Sequence, residues 1–370
     1  MKQYLKCYQV VMRTLGPVFV GSGREINKRE YIRLPDGRVG IPDISKLYEE
    51  MSRRRKQAEF ENYLLGYGGQ QELTQWLRWQ KIPLKELYPF IRYWLDCGDC
   101  DWKGNRLQVK ECIKDAYDRP YIPGSTLKGM LRTILLGADI RKAPEKYGNL
   151  KDTMERNAGK GAKRTVYLQE DISRIENKCY RILLLDKEHP HDAVNDILRG
   201  VAVSDSEPLS ADRLALCQKV DLHVNGGERR IPILRECIKP GTEIRYTITV
   251  DSSVCDLTEE KILAAVKSGI TCYYNRFLKA FKGVADSKPK VNYLYCGGGC
   301  GFATKTIIYP LFGQEEGIKI TQEIFKKTGA SKHDNDQKNG ASPHMVKCTY
   351  YQGKRYQMGL CDIRIEELPR

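Results

Sequence analysis

Residues Tyr121-Ile-Pro-Gly-Ser-Thr-Leu-Lys-Gly-Met-Leu-Arg-Thr-Ile-Leu-Leu136 constrain the fold more than any other stretch. A short extended lead-in meets a turn at Pro123-Gly124 and then a helix. Ser125 is placed to cap that helix, because its hydroxyl can accept from the unpaired N–H groups of the first turn. Leu127, Met130, Leu131, Ile134 and Leu135 recur at the 3.6-residue spacing of one buried stripe, and Gly137 stands where a C-cap is expected. Lys128 and Arg132 lie four residues apart on the opposite side, and Gly129 between them lets another backbone come close. An apolar-backed helix with an open N-terminus and two stacked cations makes a seat for a phosphate. Its bland counterpart is a core helix with two solvated cations. A Walker A loop is excluded, since Met130 and Leu131 stand where Lys and Ser/Thr are required.

Composition points the same way. The 370 residues carry a net charge of +15, a surplus that fits a polyanionic partner such as nucleic acid. No apolar run approaches the ~20 residues of a membrane span, the first residues run straight into a strand-like pattern without a signal-peptide core, and no basic amphipathic face suits a membrane surface. A cytoplasmic protein facing RNA or DNA is the expectation. The thirteen cysteines are an odd number, thinly spread, which argues against a disulfide framework. Cys97/Cys100, with Cys112 nearby, and Cys296/Cys300 have the spacing of metal-ligand pairs. A structural zinc wants four ligands, however, so reduced thiols are expected.

Along the chain, residues 4–15 read as a strand. The stretch Gly16-Pro-Val-Phe-Val-Gly-Ser-Gly-Arg ends in a small-residue loop, Gly21, Ser22, Gly23 and Arg24, with Lys28 and Arg29 close by; such backbone can point N–H groups at a phosphate. Asp36-Gly37 signals a hairpin, and Asp43 or Ser45 can cap a helix carrying Leu47 and Met51. Residues 53–100 read as a helical insertion packed by its own aromatics, Trp76, Trp79 and Trp94 among them. Residues 138–165, with few large apolar side chains and a cluster of cations, read as a mobile basic segment or a plain linker. A boundary is expected near residue 198. Strands resume at 201–203, 214–220, 231–235 and 243–250, and a helix follows from Thr258 to about Phe281. The loop Cys296-Gly-Gly-Gly-Cys-Gly-Phe-Ala-Thr-Lys-Thr306 exposes backbone at Gly299 and Gly301 beside Lys305. It is not a dinucleotide fingerprint, because Thr304 replaces the third glycine. Both halves thus mix strands with helices and present a glycine-rich turn beside cations. The expected class is α+β, two ferredoxin-like (RRM-like) domains, 1–198 and 199–370, with the helical insertion in the first.

These motifs, together with Val203-Ser-Asp-Ser206, resemble the RAMP superfamily of CRISPR–Cas proteins. Ser342-Pro-His-Met and Tyr356-Gln-Met-Gly-Leu-Cys361 narrow the likeness to the family of fifth subunits of type III-A (Csm) effector complexes. The likeness covers both halves in order but not residues 53–100 or 138–198. It implies a non-catalytic protein without cofactors that binds CRISPR RNA, caps the complex at the RNA 3′ end and is needed for 3′-end maturation in antiviral defence. Its implied partners are the third Csm subunit as neighbour, the small second Csm subunit, host nucleases that trim the RNA, and target RNA only indirectly. Carried over motif by motif, the RNA contacts are Gly21, Ser22, Gly23, Arg24, Lys28, Ser125, Lys128, Arg132, Gly299, Gly301 and Lys305. Lys128 and Arg132, as surface cations, are expected to be removable without loss of stability. The competing class is a RAMP-type endoribonuclease acting on CRISPR or target RNA. Glu25, Glu30 and Asp36 are scattered singly, though, and His189, His191 and His344 read as isolated histidines, His344 being the best candidate base.

Overall fold

The computed structural model describes residues 4–67, 69, 71–97, 99–102, 108–158, 168–284, 289–327 and 333–369. Among them the strands form two sheets. The N-terminal strand β1 (Leu5–Thr14) alternates inward Tyr8, Val10, Met12 and Thr14 with outward side chains, the period-2 pattern of a sheet covered on one face. The short strands β2 (Gly21–Ile26), β3 (Ile32–Arg33) and β4 (Arg38–Pro42) follow, with Gly37 at positive φ in the hairpin between the last two. Asp43 caps α1 (Ile44–Arg53) as expected, accepting from the N–H groups of Ser45 and Lys46. Helices α2 (Gln57–Leu65) and α3 (Leu73–Trp79) close a separate apolar cluster around Leu47, Met51, Phe60 and Trp76. Two expectations for this region fail. Residues 91–96 are strand β5 (Ile91–Asp96), because Tyr93 and Leu95 fill the core on alternate positions. Trp79 is exposed, outside the aromatic cluster.

After β6 (Val109–Cys112) comes the long helix α4 (Gly124–Lys142). It does not stop at Gly137. That residue is buried within the helix against Pro310, where a side chain would crowd the ring. The expected mobile segment is helical over its described part: α4 runs into it, α5 (Gly148–Ala158) buries Met154, and α6 (Gln169–Tyr180) packs beside it. Residues 159–164, the cationic part of that expectation, lie outside the described residues.

The second half supplies β7 (Val201–Val203), β8 (Leu214–His223), β9 (Glu228–Ile238) and β10 (Glu243–Asp251). Thr258 caps α7 (Glu259–Arg276), which ends five residues before the expected stop, although Phe277 and Leu278 continue its buried face. Strand β11 (Tyr293–Tyr295), helices α8 (Ile308–Phe312), α9 (Glu315–Lys327) and α10 (Asp336–Asn339), and strands β12 (Met345–Tyr351), β13 (Lys354–Gln357) and β14 (Leu360–Glu367) complete the chain. The first sheet has the order β11-β14-β1-β10-β7; the second runs β2-β6-β9-β8-β5-β4-β3, with β12 and β13 added at β8. Both sheets draw strands from either side of residue 198, so the two halves interlock. Strand β8 is buried on both faces along most of its length, which is why its sequence, LALCQKVDLH, is apolar at successive positions.

Candidate nucleic-acid interface

The motifs lock onto one another through hydrogen bonds from backbone N–H groups to side-chain and carbonyl oxygens. Ile122 N–H donates to Ser206 Oγ (2.9 Å), Ser206 N–H donates to the Ile122 carbonyl (3.0 Å), and Gly124 N–H donates to Asp205 Oδ1 (2.8 Å). A Cβ on Gly124 would run into the carbonyls of Val203 and Ser204. Helix α4 therefore starts at Gly124, with Asp205 serving its N-terminus from across the chain. Ser125 does not cap it and stands exposed. In the same way Gly298 N–H donates to the Phe19 carbonyl (2.6 Å), and Gly297, at positive φ, has no room for a side chain against that carbonyl.

This locking brings together segments far apart in sequence. Gly21, Ser125, Gly129, Gly297, Gly298 and Lys305 all border one cleft of about 400 Å³ between α4, α7 and the glycine-rich loop. Its floor is apolar, with Met130 and Ile134 of α4 half-buried there, so the expected single stripe is split between the core (Leu127, Leu131) and the cleft. Lys305 also borders a second depression of about 290 Å³ lined by Gly299, Gly301, Lys219, Arg235 and Lys347. Of these four cations the sequence reading had only Lys305; the others lie on strands β8, β9 and β12, and only sheet pairing puts them side by side. Asp221 takes Lys347 at 2.8 Å and Lys219 at 3.8 Å, leaving a cationic excess. Burial, and then the nearby Lys347 ammonium, hold the Lys219 ammonium below its ordinary range. Arg235 keeps Nε buried without a partner among the described residues. Crowded cations beside open backbone favour an anion, which relieves their repulsion.

Other expected contacts stand differently. Gly21, Ser22, Gly23 and Arg24 are not a loop but the exposed strand β2, bulged between Gly21 and Glu25 where it pairs β6. Ser22 Oγ donates to Glu111 (3.2 Å), and Arg24, 78% exposed, lies 3.7 Å from the same carboxylate; Lys28 is half-buried in the turn beyond. Lys128 and Arg132 are not solvated cations over a bare helix end. Lys128 Nζ donates to the Val201 carbonyl (2.7 Å). Arg132 pairs with Asp196 (2.7 Å), approaches Glu176 (3.8 Å) and lies over the Tyr180 ring at 4.1 Å. Both cations brace α4 against neighbouring segments. Lys305 Nζ donates to the Gly297 carbonyl and so helps hold its own loop.

The histidines are less scattered than their spacing in the chain suggests. His333 Nδ1 lies 2.8 Å from Asp336 Oδ2, His344 Nδ1 lies 2.5 Å from Oδ1, and Ser342 Oγ donates to Oδ2 at 2.6 Å. Burial works to raise the Asp336 carboxyl, yet these hydrogen bonds together hold it below its ordinary value. The thiols of Cys296 and Cys300 are buried, and burial raises them to about 12 and about 11, so both stay protonated near neutral pH.

Comparison with known proteins accounts for the interlocked motifs. Residues 11–304 match the RAMP superfamily, a span from β1 through the glycine-rich loop. The chain belongs to the RAMP superfamily. It is similar to the "CRISPR system Cms protein Csm5" of Mycobacterium tuberculosis (strain CDC 1551 / Oshkosh), 29% identical over 393 residues and 99% of each chain. It is likewise similar to the protein so described from Enterococcus italicus, 27% identical over 405 residues and 98% of each. The fold is also similar to that of chains in solved structures. One is the crystal structure of T. onnurineus Csm5, with TM-score 0.56 and 18% identity over 95% of this chain and 99% of that one. Another is a cryo-EM structure of a Csm–crRNA–target RNA ternary complex of a type III-A CRISPR-Cas system, with TM-score 0.55 and 18% identity over 96% and 100%. At such identity these show a shared fold. Among the described residues no helix is long and apolar enough to cross a membrane.

Proposed function

We propose that this RAMP chain is a subunit of a type III-A CRISPR effector complex, the non-catalytic one that binds CRISPR RNA, caps the complex at the RNA 3′ end and is needed for 3′-end maturation. The observation that carries this reading is the convergence of motifs from residues 16–24, 121–132 and 296–306 on one cleft, with cations at its edge. Similarity to Csm5 proteins over nearly the whole chain supports it. RNA phosphates lie along Gly299, Gly301, Lys219, Arg235, Lys305 and Lys347 and reach the β2 edge at Gly21 to Arg24. Ser125 borders the cleft, and Lys128 and Arg132 hold α4, which forms its wall, in place. Neighbours in the assembly are the third and the small second Csm subunits, host nucleases do the trimming, and target RNA is met indirectly. In this reading residues 1–198 and 199–370 are two ferredoxin-like (RRM-like) domains whose sheets exchange strands.

The test is a type III-A complex reconstituted with Arg24→Ala/Lys219→Ala. Neither change strips a buried partner: Glu111 keeps Lys114, and Asp221 keeps Lys347. The variant should melt like wild type yet bind single-stranded RNA more weakly by about 1.5–3 kcal/mol per lost contact, less for the exposed Arg24. The complexes it forms should carry untrimmed or missing RNA 3′ ends. Normal affinity and normal 3′ ends would sink the reading. On its own, with Mg²⁺ or Mn²⁺, the wild-type chain should leave labelled RNA intact. Cleavage abolished by His344→Ala or Asp36→Asn would establish the endoribonuclease reading instead.

A further inference from the structure

We propose that His333, Asp336 and His344 form a binding site for one divalent metal ion of the zinc class. The chain has five histidines, and three of them meet here: the His344 ring lies 4.8 Å from that of His333 and 5.4 Å from that of His223. One donor atom each from His333, Asp336 and His344 falls within 4.8 Å of the other two. Asp336 is fully buried, while the two imidazoles are about one-tenth exposed, which leaves a way in from one side. Taking a carboxylate out of water needs one good partner; here imidazole nitrogens face both of its oxygens, and the Ser342 hydroxyl fixes its orientation from behind. Two imidazoles and one carboxylate are the donors that suit zinc, leaving a fourth position for water. Zinc bonds of ~2.0–2.2 Å would require the paired N and O atoms, now 2.5 and 2.8 Å apart, to open to about 3.3 Å, a small side-chain rotation in which the ion takes the place of each Nδ1 proton, and that proton passes to Nε2 of the same ring or, from a doubly protonated ring, to solvent.

The three ligands come from the turn before α10, from α10 itself and from the residue that leads into β12, so the ion would staple the 333–344 segment to the second sheet. A ring contact at 4.3 Å joins His333 to Phe325, and another at 5.5 Å joins Phe325 to Phe302 of the glycine-rich loop, so the staple would also stiffen that loop. The inference concerns the chain alone and stands whether or not it caps an RNA.

The experiment uses the full chain, stripped with chelator and titrated with Co²⁺. One equivalent should produce the ligand-field bands of a four-coordinate site without sulfur-to-metal charge transfer, and Zn²⁺ should bleach them. Saturating Zn²⁺ should raise the Tm of the stripped protein by roughly 5 °C. His333→Gln/His344→Gln should lose stoichiometric uptake and the Zn²⁺-induced shift. Absence of the bands in wild type overturns the proposal, as does a charge-transfer band reporting cysteine ligands, or uptake retained in the double variant. Should that variant fail to fold, the wild-type spectrum decides by itself.

Discussion

Arg132 shows how a side chain's role depends on what faces it. In the sequence it is a surface cation on a helix; in the structure it is three-quarters buried between Asp196, Glu176 and Tyr180. Removing it strands the Asp196 carboxylate, so Arg132→Ala should cost about 1–3 kcal/mol in urea melts, and Lys128→Ala/Arg132→Ala more. A double variant that melts like wild type would contradict these contacts. Lys114 offers a second case. Its ammonium, 4% exposed, lies 2.6 Å from Glu236, which is wholly buried and also takes the Tyr93 hydroxyl (2.8 Å) and the Cys112 N–H (2.9 Å). Burial holds the Glu236 carboxyl above its ordinary value despite Lys114. A carboxyl raised in the folded state contributes its stability below its unfolded value, near about 4.3, and that stability is lost as pH rises through the folded value. Lys114→Met raises Glu236 further and widens that window. The variant should lose about 3–5 kcal/mol at neutral pH, and its deficit should grow by up to ~1.4 kcal/mol per unit as pH rises from the raised value of the wild-type Glu236 carboxyl towards the still higher value of the variant. A deficit that stays flat over the whole pH range in which both proteins fold would exclude this account.

Among the elements, α4 is the one on which the site is built. Its N-terminus is fixed by Asp205 and the close approach of Val203 and Ser204, its middle by Lys128 and Arg132, and its far end by Pro310. Two of its glycines should respond oppositely to the same change. A Cβ on Gly124 would strike backbone that cannot move aside, so Gly124→Ala should destabilise by several kcal/mol, on the order of a severe overpacking. Gly129 is helical, exposed, and meets nothing within 4 Å, so Gly129→Ala should raise stability by about 0.5–1 kcal/mol through helix propensity. Because Gly129 borders the cleft, the same methyl should weaken RNA binding if RNA enters there; the two readouts come from one variant, by thermal melting and by a filter-binding titration. A more stable variant with unchanged affinity would move the RNA off the cleft and onto the cationic depression alone.

For the whole molecule, the cationic surplus predicts phosphate-dominated binding with little preference for sequence. On single strands log K should fall by ~0.7 per neutralised phosphate for each tenfold rise in salt, so plotting log K against log salt counts the contacts. A salt-insensitive affinity would exclude the phosphate-lined surface. At the same scale β1 sits between β14 and β10, pairing with both over most of its length. Deleting residues 1–14 should abolish folding, read as loss of cooperative unfolding by circular dichroism.

Much of this was legible in the sequence because it follows from local periodicity. The strand β1, the helical character of α4, the Asp43 cap, the start of α7 at Thr258 and the turn at Gly37 each need only neighbours a few residues away, and the motifs sufficed to place the chain beside the RAMP proteins. What local pattern cannot encode is pairing across hundreds of residues. Asp205 serving Gly124, Asp196 and Val201 claiming the two helix cations, and Lys219, Arg235 and Lys347 gathering at the glycine-rich loop all depend on which strands lie side by side. So does the meeting of three histidines with Asp336. Burial then decides the chemistry, because a charge withdrawn from water must take whatever partner the fold sets beside it. The sequence determined many of the elements and the family; only the tertiary structure decided that 21–26 and 91–96 are strands, which cations brace the protein and which stand available to an anion.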